Sequence, residues 1–296
     1  MNQIGIFANT KKRQVKSVLS NFFDQIRDCA FTCIIPENLK RFLGNVPPYI
    51  KTRSLDDLLN ACDLIASFGG DGTILRTAQL VGKIETPIIG INLGGLGFLT
   101  ASDTRNALEH IFSFFNNNLQ VEKRSVLQMD IEDFPERRFF LNDFVVDKAG
   151  FSRLIHITTF LDDRFLNEYV ADGLIVSTPT GSTAYSLANG GPIVVPSTDN
   201  FIINPICPHT LSNRPIIIPD NVVIRIEVRS DQKKYNVFGD GTKIGTFHQN
   251  KVVTLRRADF NVNLVQTPEH EFYTILREKL GWGENIRLKG KSSSGQ

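Results

Sequence analysis

Phe68-Gly69-Gly70-Asp71-Gly72-Thr73 places a single carboxylate at the tip of a glycine turn. Glycines let the backbone approach a ligand with no Cβ in the way. A helix-permissive run, 74–78, follows, so the turn feeds a helix N-terminus, where free N–H groups and the dipole favour an anion. Asp71 would repel phosphate there unless it holds a metal or takes a proton from an attacking group. The spacing therefore points to phosphoryl chemistry, with Gly69, Gly70 and Thr73 as a phosphate loop and Asp71 serving the nucleophile or the metal. The same residues would also make a plain strand-to-helix turn with Asp71 as N-cap.

A second stretch carries comparable chemistry. The strand-like run 174–176 ends in Ser177-Thr178-Pro179-Thr180-Gly181-Ser182-Thr183-Ala184-Tyr185-Ser186-Leu187-Ala188. Its short hydroxyls can donate to phosphate or ribose oxygens, and Tyr185 offers a flat face to a base or nicotinamide ring. The alternative is a polar turn into a helix capped by Ser182 or Thr180.

Both stretches need elements to hold them. Residues 64–68 read as a buried strand entering the first turn, and a helix runs from it to about Val81. Upstream, 4–8 is a short strand, and Val15, Val18, Leu19, Phe22, Phe23 and Ile26 fall at helical spacing. A strand at 31–35 is ended by Pro36, and Ser54 is placed to cap a helix carrying Leu55, Leu58 and Leu59. Residues 87–92 form another strand that runs into Leu93-Gly94-Gly95-Leu96-Gly97-Phe98-Leu99, a second glycine loop, and Asp103 is placed to cap a helix over 104–115. Alternating strands and helices predict an α/β domain over 1–119, with a doubly wound, Rossmann-like parallel sheet. Ligands of such sheets sit beyond the carboxyl ends of the strands, where both glycine loops fall.

From residue 120 the texture changes. Short β-rich segments at 120–131, 138–146, 154–161, 165–169, 173–177, 222–228, 235–238 and 252–258 predict an all-β, sandwich-like domain over 120–269. Asp162-Asp163 and Asp240-Gly241 read as hairpin turns. A helix at 272–280, within a C-terminal piece 270–285, is expected to pack back on the first domain, and 286–296 reads as a flexible polar tail.

The totals exclude several classes. A chain of 296 residues with net charge +2 has room for two domains and gives no electrostatic case for nucleic acid or an anionic membrane. No run reaches the roughly 18 apolar residues of a membrane span, and the first apolar run is too short for a signal sequence. The 4 cysteines lack paired spacing, which predicts reduced thiols in a cytoplasmic protein. HExxH, GxSxG and GxGxxG patterns are missing, and Gly290-Lys291-Ser292 has no strand before it to make a Walker loop. No residue is assigned as a metal ligand.

Gly69-Gly70-Asp71-Gly72-Thr73 together with 178–192 closely resembles the NAD kinases. The order of further segments agrees with that family: the loop 92–99, Leu141-Asn142-Asp143, Pro208-His209-Thr210-Leu211-Ser212-Asn213-Arg214-Pro215, and Asp240-Gly241. The resemblance spans about 4–282. It implies ATP-dependent phosphorylation of the 2′-hydroxyl of the adenosine ribose of NAD, giving NADP, with a divalent ion, Mg²⁺, carried in on the nucleotide phosphates. It implies Asp71 as the base, Gly72 close to the substrate, Phe98 over the adenine, and Asn142 and Asp143 on adenine and ribose polar edges. Asp172 would lie near the nicotinamide riboside, Thr183, Ala184, Tyr185, Ser186, Leu187 and Ala188 would line the dinucleotide, and Arg153 would make a polar contact. Asp143 stands where the family more often has Glu, and Asn189 where Ala or Ser is usual. The family also implies a homodimer or homotetramer. The GGDGT loop is shared with lipid kinases of the diacylglycerol type, which is the alternative enzyme; a nucleotide-binding sensor without catalysis is the other alternative.

Overall fold

Alternating apolar residues on buried strands build the first unit. The computed structural model describes residues 2–95, 97–150, 154–249 and 251–282. Among them, 8 strands make one sheet in the order Lys51–Arg53, Thr32–Pro36, Gln3–Ala8, Leu64–Gly69, Ile88–Asn92, Val262–Val265 and Val121–Arg124, with Ser102–Asp103 paired beside Ile88–Asn92. Neighbours run parallel except for the antiparallel pair Val262–Val265 and Val121–Arg124. Alternate residues of one strand serve opposite faces. Ile4, Ile6 and Ala66 pack on Leu19, Phe22 and Phe23 of the helix Val15–Gln25, while Phe7 and Ile65 pack on Leu58 and Ile74. The sheet is thus covered on both faces and doubly wound, as the alternation predicts. Its order reverses between Gln3–Ala8 and Leu64–Gly69, and the carboxyl end of Leu64–Gly69 is where the Gly70–Asp71 turn emerges. That is the position in which open α/β sheets bind ligands.

The second unit is a sandwich of two antiparallel sheets of 6 strands. One runs Ile216–Pro219, Asn200–Ile206, Gly173–Ser177, Asp143–Lys148, Lys234–Gly239, Thr242–His248, and the other Arg164–Ala171, Ile155–Leu161, Ile224–Arg229, Val253–Arg257, Leu127–Ile131, Phe134–Phe140. Phe144, Val176, Phe201 and Tyr235 from the first interdigitate with Met129, Ile157, Ile226 and Leu255 from the second. Asp162, Asp163, Asp240 and Gly241 all take positive φ, as two-residue hairpin turns require.

Several local expectations are corrected. The run 120–131 is two strands in different sheets: Val121–Arg124 extends the first sheet and Leu127–Ile131 enters the sandwich. The return crossing lies alongside, where the Ala258 N–H donates to the Val126 carbonyl at 2.9 Å, and leads to Val262–Val265. Asp103 caps no α-helix; it accepts from the N–H groups of Arg105 (2.8 Å) and Asn106 (2.9 Å), a turn that delays the helix to Ala107–Phe115. Pro36 ends its strand but also opens a helix, Glu37–Leu43, that the sequence pattern did not reveal. Ser54 caps Leu55–Ala61 as expected, its Oγ accepting from the Asp57 N–H. The C-terminal helix is Phe272–Leu280. The expected tail and Arg153 lie outside the described residues. No helix among the described residues is long and apolar enough to cross a membrane.

Candidate active site

Gly70, not Asp71, is the N-cap of the helix Asp71–Val81, and the Thr73 hydroxyl accepts from the Gly70 N–H at 3.4 Å. Asp71 is therefore free of capping and turns toward the second glycine loop. Its Oδ2 accepts from the Phe98 N–H at 2.9 Å and its Oδ1 from the Leu99 N–H at 3.0 Å. Two N–H bonds, one to each oxygen, fix the direction in which this carboxylate points. Gly97 makes this approach possible, since a Cβ there would collide with Asp71 Oδ1. Each oxygen keeps a further lone pair for another donor.

The Asn142–Asp143 turn is held by a carboxylate from another hairpin. Asp240 Oδ1 accepts from the N–H groups of Asn142 (2.8 Å) and Asp143 (3.3 Å), and Oδ2 from that of Leu141 (3.1 Å). Gln79, two turns along the helix from Asp71, donates to the same Oδ2 at 3.3 Å. Asp240 thus ties the turn to the helix that Asp71 begins. Burial, and after it the Asp240 charge, push the Asp143 carboxyl up to about 7, against the Tyr185 N–H that favours its charge. Asp240 is itself raised by burial, with its N–H donors opposing.

The hydroxyl run folds as a short 3₁₀ turn, Thr180–Thr183, followed by the single turn Tyr185–Ala188; neither carries a side-chain cap. Internal bonds consume much of it. Thr178 Oγ1 donates to the Leu141 carbonyl at 2.6 Å, Ser182 Oγ to the Val194 carbonyl at 3.2 Å, and Ser186 is buried against the Asn204 amide. Gly181 packs on the Asn142 carbonyl so closely that a Cβ would collide with it. The Thr178 hydroxyl thus locks this loop onto the strand end that leads into the Asn142–Asp143 turn, and the Ser182 hydroxyl ties it to Val194.

A cavity of about 430 Å³ opens between these parts. Asn142, Asp143, Ala184, Tyr185 and Asp240 line it, together with Leu75 from the Asp71 helix and the apolar Val145 and Phe238. Tyr185, 47% exposed, is the one aromatic of the hydroxyl run that lines it. Other residues fall elsewhere. Phe98 lines a neighbouring cavity of about 300 Å³ with Arg124 and His270, under the Lys279 ammonium 4.6 Å from its ring. Asp172 pairs with Lys148, whose proton affinity this raises. Ser186 is sealed in, Leu187 is half-buried and Ala188 exposed, and none of the three lines the cavity. Gly72 is exposed, with open space where a side chain would project.

Sequence reasoning did not select Asp240, Gln79, Arg124 or His270 for the site. Asp240 was visible as a hairpin turn and as one segment of the family resemblance, with no site role; its φ of 46° fits the turn, while its four donors come from elsewhere in the chain. Arg124 is buried, pairs with Glu122 at 2.8 Å, reaches Thr180 Oγ1 at 3.4 Å, and leaves its Nε without a partner. Among the described residues no group of three or more His, Cys, Asp and Glu side chains is placed to hold a metal ion.

Two family models match the chain: residues 4–119 match the ATP-NAD kinase N-terminal domain and residues 141–267 the ATP-NAD kinase C-terminal domain. The chain is 38% identical over 290 residues to the NAD kinase of Porphyromonas gingivalis, covering 97% of this chain and 100% of that one. It is 33% identical over 293 residues to the NAD kinase of Flavobacterium psychrophilum, covering 96% and 99%. The structure of yeast NADH kinase complexed with NADH superposes with a TM-score of 0.89 at 25% identity, covering 97% of this chain and 90% of that one. An NAD kinase from Archaeoglobus fulgidus in complex with ATP shares the fold, with a TM-score of 0.72 at 21% identity over 95% and 100% of the two chains.

Proposed function

The chain belongs to the NAD kinase family, and from that membership we propose that it transfers the terminal phosphoryl group of ATP to the 2′-hydroxyl of the adenosine ribose of NAD, giving NADP. The observation that carries the residue roles is the placement of Asp71. Its carboxylate sits at the head of a helix whose next turn, at Leu75, lines the cavity of Asn142, Asp143 and Tyr185. Phosphoryl transfer is mostly positioning and charge neutralisation, with one carboxylate orienting the nucleophile.

In this reading Asn142 and Asp143 offer polar edges to the adenosine, and Thr183, Ala184 and Tyr185 flank the dinucleotide. Asp71, fixed by the Phe98 and Leu99 N–H groups, accepts the hydroxyl proton on a remaining lone pair. The glycine turn 69–72 and the N-terminus of the helix Asp71–Val81 face the donor phosphates. Mg²⁺ needs at most one or two protein carboxylates when it arrives on phosphates; bound there, it would neutralise phosphate charge. Phe98, Asp172 and Arg153 remain assigned to the substrate by family likeness alone.

We also place the reaction in a reducing compartment, the cytoplasm, in keeping with four cysteines that are all free. We propose assembly as a homodimer or homotetramer through the sandwich, whose edge strands expose Phe165, Ile216 and Ile217. Light scattering would test the subunit count, and a monomer would discard it.

The decisive experiment incubates the protein with ATP, Mg²⁺ and NAD and separates the nucleotides. NADP formation is the expected result. Phosphorylated diacylglycerol instead of NADP would establish a lipid kinase, and tight NAD binding without turnover would establish a sensor.

A further inference from the structure

One peptide unit, Gly97–Phe98, is held from both sides. Its N–H donates to Asp71 Oδ2 at 2.9 Å, and its carbonyl lies 3.2 Å from His270 Nε2. A carbonyl only accepts, so this contact requires the proton on Nε2. The result is a chain of donors, imidazole to carbonyl and amide to carboxylate. Hydrogen bonds linked through a peptide polarise one another.

His270 is 8% exposed, and burial is the main influence holding its proton affinity down; the Gly97 carbonyl and Asp71 oppose this and Arg124 adds to it. A neutral imidazole with its proton on Nε2 donates to the peptide carbonyl and so polarises the N–H that meets Asp71. The segment carrying His270 grips the same loop elsewhere. Thr267 Oγ1 donates to the Ala101 carbonyl at 2.5 Å, and Lys279 lies over Phe98. The loop is therefore set by the C-terminal segment as well as by its own glycines.

We propose that His270 is a positioning residue for phosphoryl transfer, acting through the Gly97–Phe98 peptide to aim and anchor the Asp71 carboxylate. This role rests on the reading of Asp71 as the base.

The test compares His270→Phe, which fills the space without a donor, with His270→Gln, whose Nε2 can reach the same carbonyl. The Phe variant should lose kcat by about 10–100-fold, the scale of a small misplacement of a reacting group, with KM for NAD changed by less than about twofold. The Gln variant should recover most of that loss. Independently of turnover, amide exchange at Phe98 and Leu99 should speed up by roughly 10-fold in the Phe variant and stay near wild type in the Gln variant. Wild-type kcat and exchange in the Phe variant, or equal losses in both variants, would overturn the proposal. If the wild-type protein made no NADP, the reading of Asp71 would fall, while the exchange comparison would still judge whether His270 holds the loop.

Discussion

The backbone N–H of Asp143 donates to Asp240 Oδ1 at 3.3 Å, which brings two carboxylates to one wall of the 430 Å³ cavity. Only Asp240 is well supplied with donors, so the unfavourable charge falls on Asp143.

This predicts a pH dependence of stability. The Asp143 carboxyl is raised in the fold to about 7, against about 4 unfolded. The folded state then binds the proton more tightly, so its contribution is complete below about pH 4 and is lost as pH rises through about 7. Tm should fall over that window by an amount on the order of a few kcal/mol in stability. Asp143→Asn should flatten that part of the profile; thermal melts of both proteins from pH 4 to 8 check it, and parallel profiles would refute it.

Asp240→Ala should leave the N–H groups of Leu141, Asn142 and Asp143 without their acceptor. A buried group left unsatisfied costs about 1–3 kcal/mol. The turn should loosen, raising KM for NAD more than it lowers kcat. The fall in Tm with pH should also move to lower pH, because the like charge beside Asp143 is gone. Steady-state kinetics and melts measure both effects.

Asp71→Asn should retain NAD binding and lose turnover by a factor on the order of 10²–10⁴, the range of a missing general base. The amide also offers one NH₂ where both loop N–H groups need acceptors, so a small loss of stability should accompany it. Calorimetric NAD binding with single-turnover kinetics separates the two; near-normal turnover would remove the base assignment.

Gly97→Ala should displace the Asp71 carboxylate, since the added methyl meets both its Oδ1 and the Thr100 hydroxyl. Overpacking of this kind costs about 1–3 kcal/mol, and turnover should drop on the order of 10²-fold for a misplaced group. Gly95→Ala, where a side chain would enter open space, is the control and should keep its turnover.

Much of this protein was legible in the chain itself. Buried strands such as Leu64–Gly69, the Ser54 cap, the hairpin turns at Asp162 and Asp240, and the two loops rich in glycine and hydroxyls all follow from local spacing and dihedral preference, which act within a few residues. The direction of a side chain within the site does not. Asp71 is aimed by amides 27 and 28 residues away, the Asn142 turn is held by a carboxylate 98 residues away, and His270 reaches Gly97 across 173 residues. The crossing at Ser125–Val126, which sends one β-rich run into two sheets, is likewise set by pairing with a strand that arrives more than a hundred residues later. Local chemistry thus determined which candidate residues the chain offers for the proposed phosphoryl transfer. Tertiary packing alone decided which donors those residues meet, because a hydrogen bond depends on distance in space and leaves no period or spacing along the chain.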